Sequence, residues 1–307
     1  MDRLTNIIAA VDFSPCSEVA LRQAARIAAW NKARLSAVHV LDIPMIQPAP
    51  PVLLSIDMPT HDMLNEDAKA HWAQFAPDMP AKKDVAFETL FGTPGSELAR
   101  AAEARGADLL VVGAVGLMSR ARGIGSTAGG CIRRAPCKVL AVREGHTRPF
   151  SAVAACVDFS PTSLEALSQA VRVAAQDNAA LHVVHAYDNP WKGMSRPESV
   201  RVNMPDFDAK MQAAVEARLR EFASPLAHEL GALRAHYHAV QQTAQREGHG
   251  KGLISFITQH GIDLAVLGVR SRWNVRDFLL GSTAERICRD ADCSILTIRP
   301  VADGPKE

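Results

Sequence analysis

The sequence predicts an α/β fold of two tandem domains, each a doubly wound sheet of five parallel strands. The first observation is that short apolar runs alternate with segments of helical periodicity, which favours parallel pairing and right-handed crossovers. The second is that this order of segments occurs twice. The third is composition: 48% of the 307 residues are hydrophobic, enough for two buried cores. No apolar stretch approaches the roughly 20 residues of a membrane span.

An internal repeat divides the chain. "AAVDFSP" at 9–15 returns as "AACVDFSP" at 154–161, so Asp12 corresponds to Asp158 at an offset of 158 − 12 = 146. "GSTAGGCIRRAPCKVLAVR" at 125–143 returns as "GSTAERICRDADCSILTIR" at 281–299, an offset of 281 − 125 = 156. A period of this length is a whole domain. The polar seam "REGHTRPFS" therefore predicts domains at 1–147 and 148–307.

Each half is predicted to alternate strands and helices in the same order. In the first half Ser14, before Pro15, predicts the N-cap of the first helix. Its strands are predicted at 6–13, 34–42, 83–92, 107–114 and 138–143, and its helices at 14–31, 62–76, 94–106 and from Ser126. The second half is predicted to have strands at 152–159, 180–187, 232–241, 263–269 and 294–299, and helices at 161–177, 206–230, 251–260 and 282–290.

Ligands of open α/β sheets bind outside the carboxyl ends of the strands, where the strand order reverses. Asp12 and Asp158 follow the first strand of each half, and the glycine segments 113–127 and 268–283 follow the fourth. Glycines that open a helix with Ser and Thr can cradle a phosphate, or the hydroxyls can simply cap the helix. The aspartates likewise either cap the next helix or contact a ribose or base-binding loop.

These features together resemble the universal stress protein family, and the whole chain resembles its tandem members. The marks are the early "VDFS" aspartate, a glycine segment of the form G-x2-G-x9-G-[S/T], a small helix and a closing apolar strand ending in Arg. The resemblance implies ATP, with or without Mg²⁺, held by the aspartate, the end of the second strand and the glycine segment. The implied residues are Asp12, Val40, Gly113, Gly116, Gly125, Ser126 and Thr127 in the first half, and Asp158, Ala186, Gly268, Arg270, Ser271, Gly281, Ser282 and Thr283 in the second.

Both glycine segments depart from the family pattern. The first has eight residues, 117–124, where the pattern has nine. The second has the full spacing, but Ser271 stands at the second glycine, and serine lacks easy access to positive φ. Arg270 and Arg272 flank it, either as phosphate partners or as solvated loop residues. We expect the second half to be the better nucleotide site.

Composition and the remaining motifs exclude several classes of function. With 34 basic and 33 acidic residues the formal charge is +1, which gives no sign of nucleic-acid binding. The six cysteines have no metal spacing and are expected to be reduced and mostly buried. His236 and His238 share one strand face, where His249 or His228 can complete a metal site, but packed or solvent-facing histidines are the favoured interpretation. Without a signal-peptide pattern, a cytoplasmic protein is expected.

We therefore expect a cytoplasmic, non-enzymatic stress-response protein that binds adenine nucleotide and acts through protein partners, without contact to nucleic acid or membrane. The rival hypotheses are a slow ATP hydrolase and a nucleotide-free interaction module. The closing strands 138–142 and 294–298 are expected at sheet edges, where unpaired backbone groups need a partner. Since single-domain relatives resemble dimers joined by this strand, the halves are expected to pack pseudo-symmetrically as a pseudo-dimer, with further homodimers possible.

Overall fold

A computed structural model describes residues 4–42, 60–116, 123–189, 206–241, 250–269 and 281–300. Contacts divide the chain into two compact units, one formed for the most part by residues 2–147 and the other for the most part by residues 148–307. Each unit repeats the same alternation of strands and helices. This agreement confirms the predicted α/β class and the tandem arrangement.

The first unit contains a parallel sheet in the order β3-β2-β1-β4-β5. Its strands are β1 (Asn6–Ala10), β2 (Arg34–Leu41), β3 (Ala86–Phe91), β4 (Leu109–Gly113) and β5 (Lys138–Val142). Its helices are α1 (Pro15–Asn31), α2 (His61–Gln74), α3 (Pro94–Ala104) and α4 (Ser126–Arg134).

The second unit contains a parallel sheet in the matching order β8-β7-β6-β9-β10. Its strands are β6 (Ala152–Cys156), β7 (Ala180–Tyr187), β8 (His236–Gln241), β9 (Leu264–Gly268) and β10 (Ser294–Ile298). Its helices are α5 (Pro161–Asp177), α6 (Phe207–Phe222), α7 (Ala227–Ala232), α8 (Gly250–Gln259) and α9 (Ser282–Asp290).

The central strands form the core of each unit. Ile7, Ile8 and Ala9 of β1 are fully buried, as are Val153, Ala154 and Ala155 of β6. Strands covered by helices on both faces read as continuous apolar runs, which is why the sequence identified them. In each unit the strand order reverses between the first and fourth strands, so the crevice opens at the carboxyl ends of β1 and β4, or of β6 and β9.

Several predicted elements are shorter in the structure, and the largest difference in extent lies in the second unit. A single helix was predicted over 206–230, but α6 ends at Phe222, a 3₁₀ turn covers Ser224–Leu226, and α7 follows. Pro225 explains the break, because proline lacks the N–H that a continuous helix requires. The strand predicted from residue 232 accordingly begins only at His236.

Candidate functional site

The turn after the first strand has the same geometry in both units. In the second unit, the Asp158 carboxylate accepts hydrogen bonds through Oδ1 from the backbone N–H and the hydroxyl of Ser160. Ser160 Oγ in turn accepts from the Ser163 N–H at 3.2 Å and caps α5. The residue between them, Phe159, has a φ of 63°, a left-handed conformation that is rare for a bulky side chain.

The first unit repeats this turn with its own residues. Asp12 Oδ1 accepts from the N–H and hydroxyl of Ser14, Ser14 caps α1, and Phe13 has a φ of 61°. Serine, not aspartate, is thus the helix cap, and the aspartate orders the turn before it. Asp12 and Asp158 are both exposed, and one oxygen of each carboxylate is held by the serine of its turn.

A histidine of the second strand supports each turn, and the sequence predicted these histidines only as packed side chains. The rings of His39 and His185 direct Nδ1 to the carbonyls of Val11 and Val157, at 2.7 and 2.8 Å. A carbonyl only accepts, so Nδ1 carries the hydrogen of these contacts. The rings also pack against the left-handed phenylalanines, with centroids 4.7 Å apart in the first unit and 4.2 Å in the second. The repeat contained the signal, since 185 − 39 = 146 is also the Asp12–Asp158 offset.

A cavity of about 300 Å³ lies at the carboxyl ends of the strands of the second unit. Six of the eight predicted site residues of this half line it: Asp158, Ala186, Gly268, Gly281, Ser282 and Thr283. The other two, Arg270 and Ser271, lie outside the described residues. The remaining lining residues are Cys156, Val157, Ser163, His185, Leu253, Leu267 and Ala284. The wall is therefore mostly apolar, and its polar side chains include one carboxylate, one imidazole and three hydroxyls.

Close packing explains two glycines of the predicted site, Gly113 and Gly268, but it does not explain Gly125. A Cβ at Gly268 would lie 3.1 Å from Thr162 Cγ2, and one at Gly113 would lie 3.2 Å from the backbone of Cys16 and Ser17. These two glycines allow the first helix of each unit, α1 or α5, to pack closely on the fourth strand. Gly125 is different: its φ of −66° suits any residue, and a Cβ there would meet nothing closer than 3.5 Å. Neither backbone nor packing therefore requires glycine at position 125.

Gly125 and Gly281 are the N-cap residues of α4 and α9, and neither helix has a side-chain cap within the described residues. Ser126, Thr127, Ser282 and Thr283 occupy the first two helical positions, beyond the cap. Gly281, like Gly125, has a negative φ, of −57°. The hydroxyls therefore do not cap these helices in the described structure, and the simple capping alternative loses support.

The other predicted residues of the first unit lie around the matching crevice. Val40 lies near the carboxyl end of β2, paired with Leu90. A Cβ at Gly116 would lie 2.9 Å from Asp12 Oδ2, so the carboxylate packs directly against this glycine. The Gly125 N–H donates to the Ala114 carbonyl at 2.7 Å. The crevice of the first unit thus brings Asp12 together with the start of its glycine segment, while residues 117–122 lie outside the described residues.

A larger cavity of about 980 Å³ lies elsewhere in the first unit. It is located at the amino ends of the strands, among Asn6, Arg34 and Ala86. Its lining includes none of the predicted site residues, so it is separate from the crevice.

The histidines of β8 have different neighbours from those considered in the sequence. His236 and His238 lie beside His182 of β7 and His260, which follows α8. The sequence offered His228 or His249 to complete a metal site with them. His228 lies on α7, and His249 is outside the described residues. Within the described ranges, no group of three or more His, Cys, Asp or Glu side chains is arranged to hold a metal ion.

The six cysteines are free thiols, and five of them are buried. Burial raises the pKa of Cys131 and of Cys156 to about 12, which keeps both thiols protonated and unreactive. The expectation of mostly buried cysteines is confirmed. In the part of the chain that the structure describes, no helix is long and apolar enough to span a membrane.

Each half of the chain separately matches the same family of known proteins. The model of the universal stress protein family matches residues 4–143 and again residues 149–299. Universal stress protein A homolog 1 of Coxiella burnetii is 26% identical over 149 residues, 48% of this chain and 96% of that protein. A universal stress protein of Methanocaldococcus jannaschii is 23% identical over 159 residues, 52% of this chain and 86% of that protein.

A solved structure matches the chain over nearly its full length. The crystal structure of a universal stress protein from Archaeoglobus fulgidus superposes with a TM-score of 0.60 at 16% identity, covering 96% of this chain and 98% of that chain. At this identity the likeness concerns the fold. Since the family model matches twice and spans nearly all of the sequence, the chain belongs to the universal stress protein family, as a member with two tandem repeats.

Proposed function

We propose that the second domain binds an adenine nucleotide, ATP in the first instance, in the cavity at the carboxyl ends of its strands. The observation that carries the proposal is the convergence of Asp158, Ala186, Gly268, Gly281, Ser282 and Thr283 on that one cavity. These residues come from three separate parts of the sequence. They are the residues that the repeated motifs and the family resemblance single out in this half, and they share one location.

The two ends of the cavity suit the two ends of a nucleotide. Asp158 and Ala186 lie at the ends of β6 and β7, where a carboxylate can accept from ribose hydroxyls and an apolar wall can hold the base. Gly281, Ser282 and Thr283 open α9, where the helix dipole and first-turn N–H groups favour phosphate. Glycine at the cap leaves room for a phosphate to approach the backbone.

The nucleotide is proposed to act as a signal for protein partners and not as a substrate. Hydrolysis requires a positioned water and charge stabilisation in addition to a phosphate cradle. Among the described residues that line the cavity, Asp158 and His185 are the ionisable side chains besides the Cys156 thiol. One oxygen of Asp158 is held by Ser160, and His185 contacts the Val157 carbonyl. Both groups are thus engaged in shaping the turn, which favours binding over slow hydrolysis.

Nucleotide content and phosphate release separate the three hypotheses. The full chain is purified without added nucleotide and denatured, and the supernatant is analysed for adenine nucleotides. We expect nucleotide below or near one equivalent and phosphate release with Mg²⁺ at the level of a buffer blank. Sustained release would identify a hydrolase instead. Absence of nucleotide after purification, together with no binding of added ATP, would identify a nucleotide-free module.

The organisation of the chain completes the proposal. We propose that residues 1–147 and 148–307 are two domains whose closing strands β5 and β10 pair, so that the chain is a pseudo-dimer. Each of these strands is the outermost strand of its own sheet, where unpaired backbone groups demand a partner. We further propose that the protein acts in the cytoplasm and that pairs of chains associate as homodimers.

A further inference from the structure

Four imidazoles form a cluster in the second unit, away from the residues that line the cavity. They are His182 on β7, His236 and His238 on β8, and His260 just after α8. His182 Nδ1 lies 3.0 Å from His238 Nε2. The His260 ring lies 5.7 Å from the His182 ring and 5.3 Å from the His238 ring, measured between centroids. Phe256 of α8 stacks on His260 with centroids 3.9 Å apart.

The cluster is built for neutral imidazoles. At the contact between His182 and His238, one nitrogen donates a hydrogen and the other accepts with its lone pair. If the accepting nitrogen also takes up a proton, two N–H groups face each other and the hydrogen bond is lost. Burial, followed by the neighbouring His238, His236 and His260, lowers the pKa of His182 to about 4. Burial and the neighbouring imidazoles also lower the pKa of His238, and Glu216 on α6 acts in the opposite direction.

The charged surroundings offer limited compensation for added protons. The strands that carry three of the histidines, β7 and β8, are contacted by the helices α8 and α6, and β7 also by β6 and α5. From β7, β8 and the end of α8 the ionisable groups that act on it are the imidazoles themselves. From α6 the Glu216 carboxylate acts on His238 in the opposite direction. Around His182 and His238, several positive charges would therefore meet the charge of one carboxylate.

The first unit has an ion pair at the corresponding place. Glu88 and His238 are each the third residue of the corresponding edge strand, paired in register with Val38 and Val184. Arg105 and His260 each follow the corresponding helix, with their N–H groups bonded to the Ala101 and Phe256 carbonyls. Glu88 and Arg105 form an ion pair that joins strand to helix. The second unit makes the same strand-to-helix connection with His238 and His260, two imidazoles that can each take up a proton.

Helix α8 connects the cluster to the cavity. Phe256 lies in the cluster, while Leu253, one turn earlier on the same helix, lines the cavity. The amino end of α8 packs closely on α9, where a Cβ at Gly250 would lie 2.7 Å from Arg286 Cδ. Helix α9 itself begins with Ser282 and Thr283 at the phosphate end of the proposed site. Movement of α8 therefore alters two walls of the cavity.

We propose that the four-histidine cluster is an acid-sensitive latch, in which protonation releases the carboxyl end of α8 from β7 and β8 and so weakens nucleotide binding in the second domain. The coupling to nucleotide rests on the proposed function. The latch itself does not, because it concerns contacts between α8 and the sheet. Acidification then acts on this domain, while the ion pair of the first domain persists.

The decisive variant is the double substitution His238→Glu and His260→Arg in the full chain. It gives the second unit the same pair of residues as Glu88 and Arg105 in the first unit. Hydrogen exchange of the α8 amides is measured with EDTA present, at about pH 7.5 and about pH 5, and corrected for intrinsic exchange rates. In the native chain we expect protection at residues 253–260 to fall roughly fivefold or more on acidification. In the double variant we expect a change below about twofold, because the ion pair persists across this range.

The same pair of proteins is titrated with ATP and Mg²⁺ at both pH values. We expect the dissociation constant of the native chain to rise more than that of the double variant, since protonation of ATP itself affects both equally. Equal pH dependence in the two proteins would overturn the coupling to the cavity. Unchanged protection of α8 in the native chain, or an equal loss in the double variant, would overturn the latch.

The two proposals fail separately. If neither protein binds ATP at either pH, the proposed function fails, and hydrogen exchange alone decides the latch. Circular dichroism checks that the double variant folds. If it does not, His182→Ser replaces it, since Ser36 occupies the corresponding position of the first unit. Retention of the full acid response in His182→Ser would also contradict the latch.

Discussion

Replacing His182 by Ser should remove part of the dependence of stability on pH. The pKa of His182 is lowered to about 4 in the folded protein, from an ordinary value of 6.5, chiefly by burial. A lowered histidine pKa means that the unfolded chain binds more protons between these two values, so the free energy of unfolding falls as the pH falls. The contribution is fully present above about pH 6.5 and is lost towards about pH 4.

The magnitude follows from the shift. A difference of 6.5 − 4 = 2.5 units corresponds to roughly 3.4 kcal/mol at about 1.4 kcal/mol per unit. Since His182 is only half-buried, solvent screening reduces this to about 1–2 kcal/mol. The neighbouring His238, whose pKa is also lowered, adds in the same direction.

Urea unfolding followed by circular dichroism measures this effect at about pH 7.5, 6.5, 5.5 and 4.5. We expect the native chain to lose about 1–2 kcal/mol more than His182→Ser between the first and last conditions. The other titrating groups are common to both proteins, so the difference between them reports the cluster. Parallel curves for the two proteins would refute the reasoning, as would a native chain that gains stability on acidification.

Two further predictions concern packing and assembly. Gly113→Ala should lower the free energy of unfolding by about 1–2 kcal/mol in thermal or urea melts, because its Cβ would lie 3.2 Å from the backbone of α1. Gly145→Ala, with nothing within 4 Å, is the control, and equal melting of the two variants would contradict the packing role. Residues 1–147 expressed alone should dimerise or aggregate in sedimentation experiments, because Val139–Val142 of β5 would lose its proposed partner. A stable, soluble monomer would count against the pairing of β5 with β10.

Most of the fold could be predicted because its signals are local. Buried parallel strands such as β1 and β6 are short, continuous apolar runs, and Ser-Pro at 14–15 and 160–161 opens each first helix. The break after Phe222 was missed because helical periodicity continues through Pro225. There the missing N–H of proline overrode the pattern.

The site was predictable where the repeat marks it and not where distant segments meet. Asp158 and Gly281, which line the cavity, were predicted because their motifs return at nearly constant spacing, and Ala186 was predicted from the family resemblance. His185 has the same spacing, yet a lone histidine on a strand carries no specific signal. The contact of His182 with His260 joins two elements far apart in sequence, so only the folded chain reveals it.

Paired valine substitutions test the central claim most directly, because Gly281 and Gly125 are equivalent by the repeat and both have a φ that valine tolerates. ATP with Mg²⁺ is titrated by calorimetry into the full chain, Gly281→Val and Gly125→Val, with circular dichroism as a check on folding. Binding in the second domain predicts that Gly281→Val loses ATP affinity by at least about tenfold, as the branched side chain blocks the approach of phosphate. Gly125→Val should retain the affinity of the native chain. Unchanged affinity in folded Gly281→Val, or loss confined to Gly125→Val, would contradict a nucleotide site in the second domain.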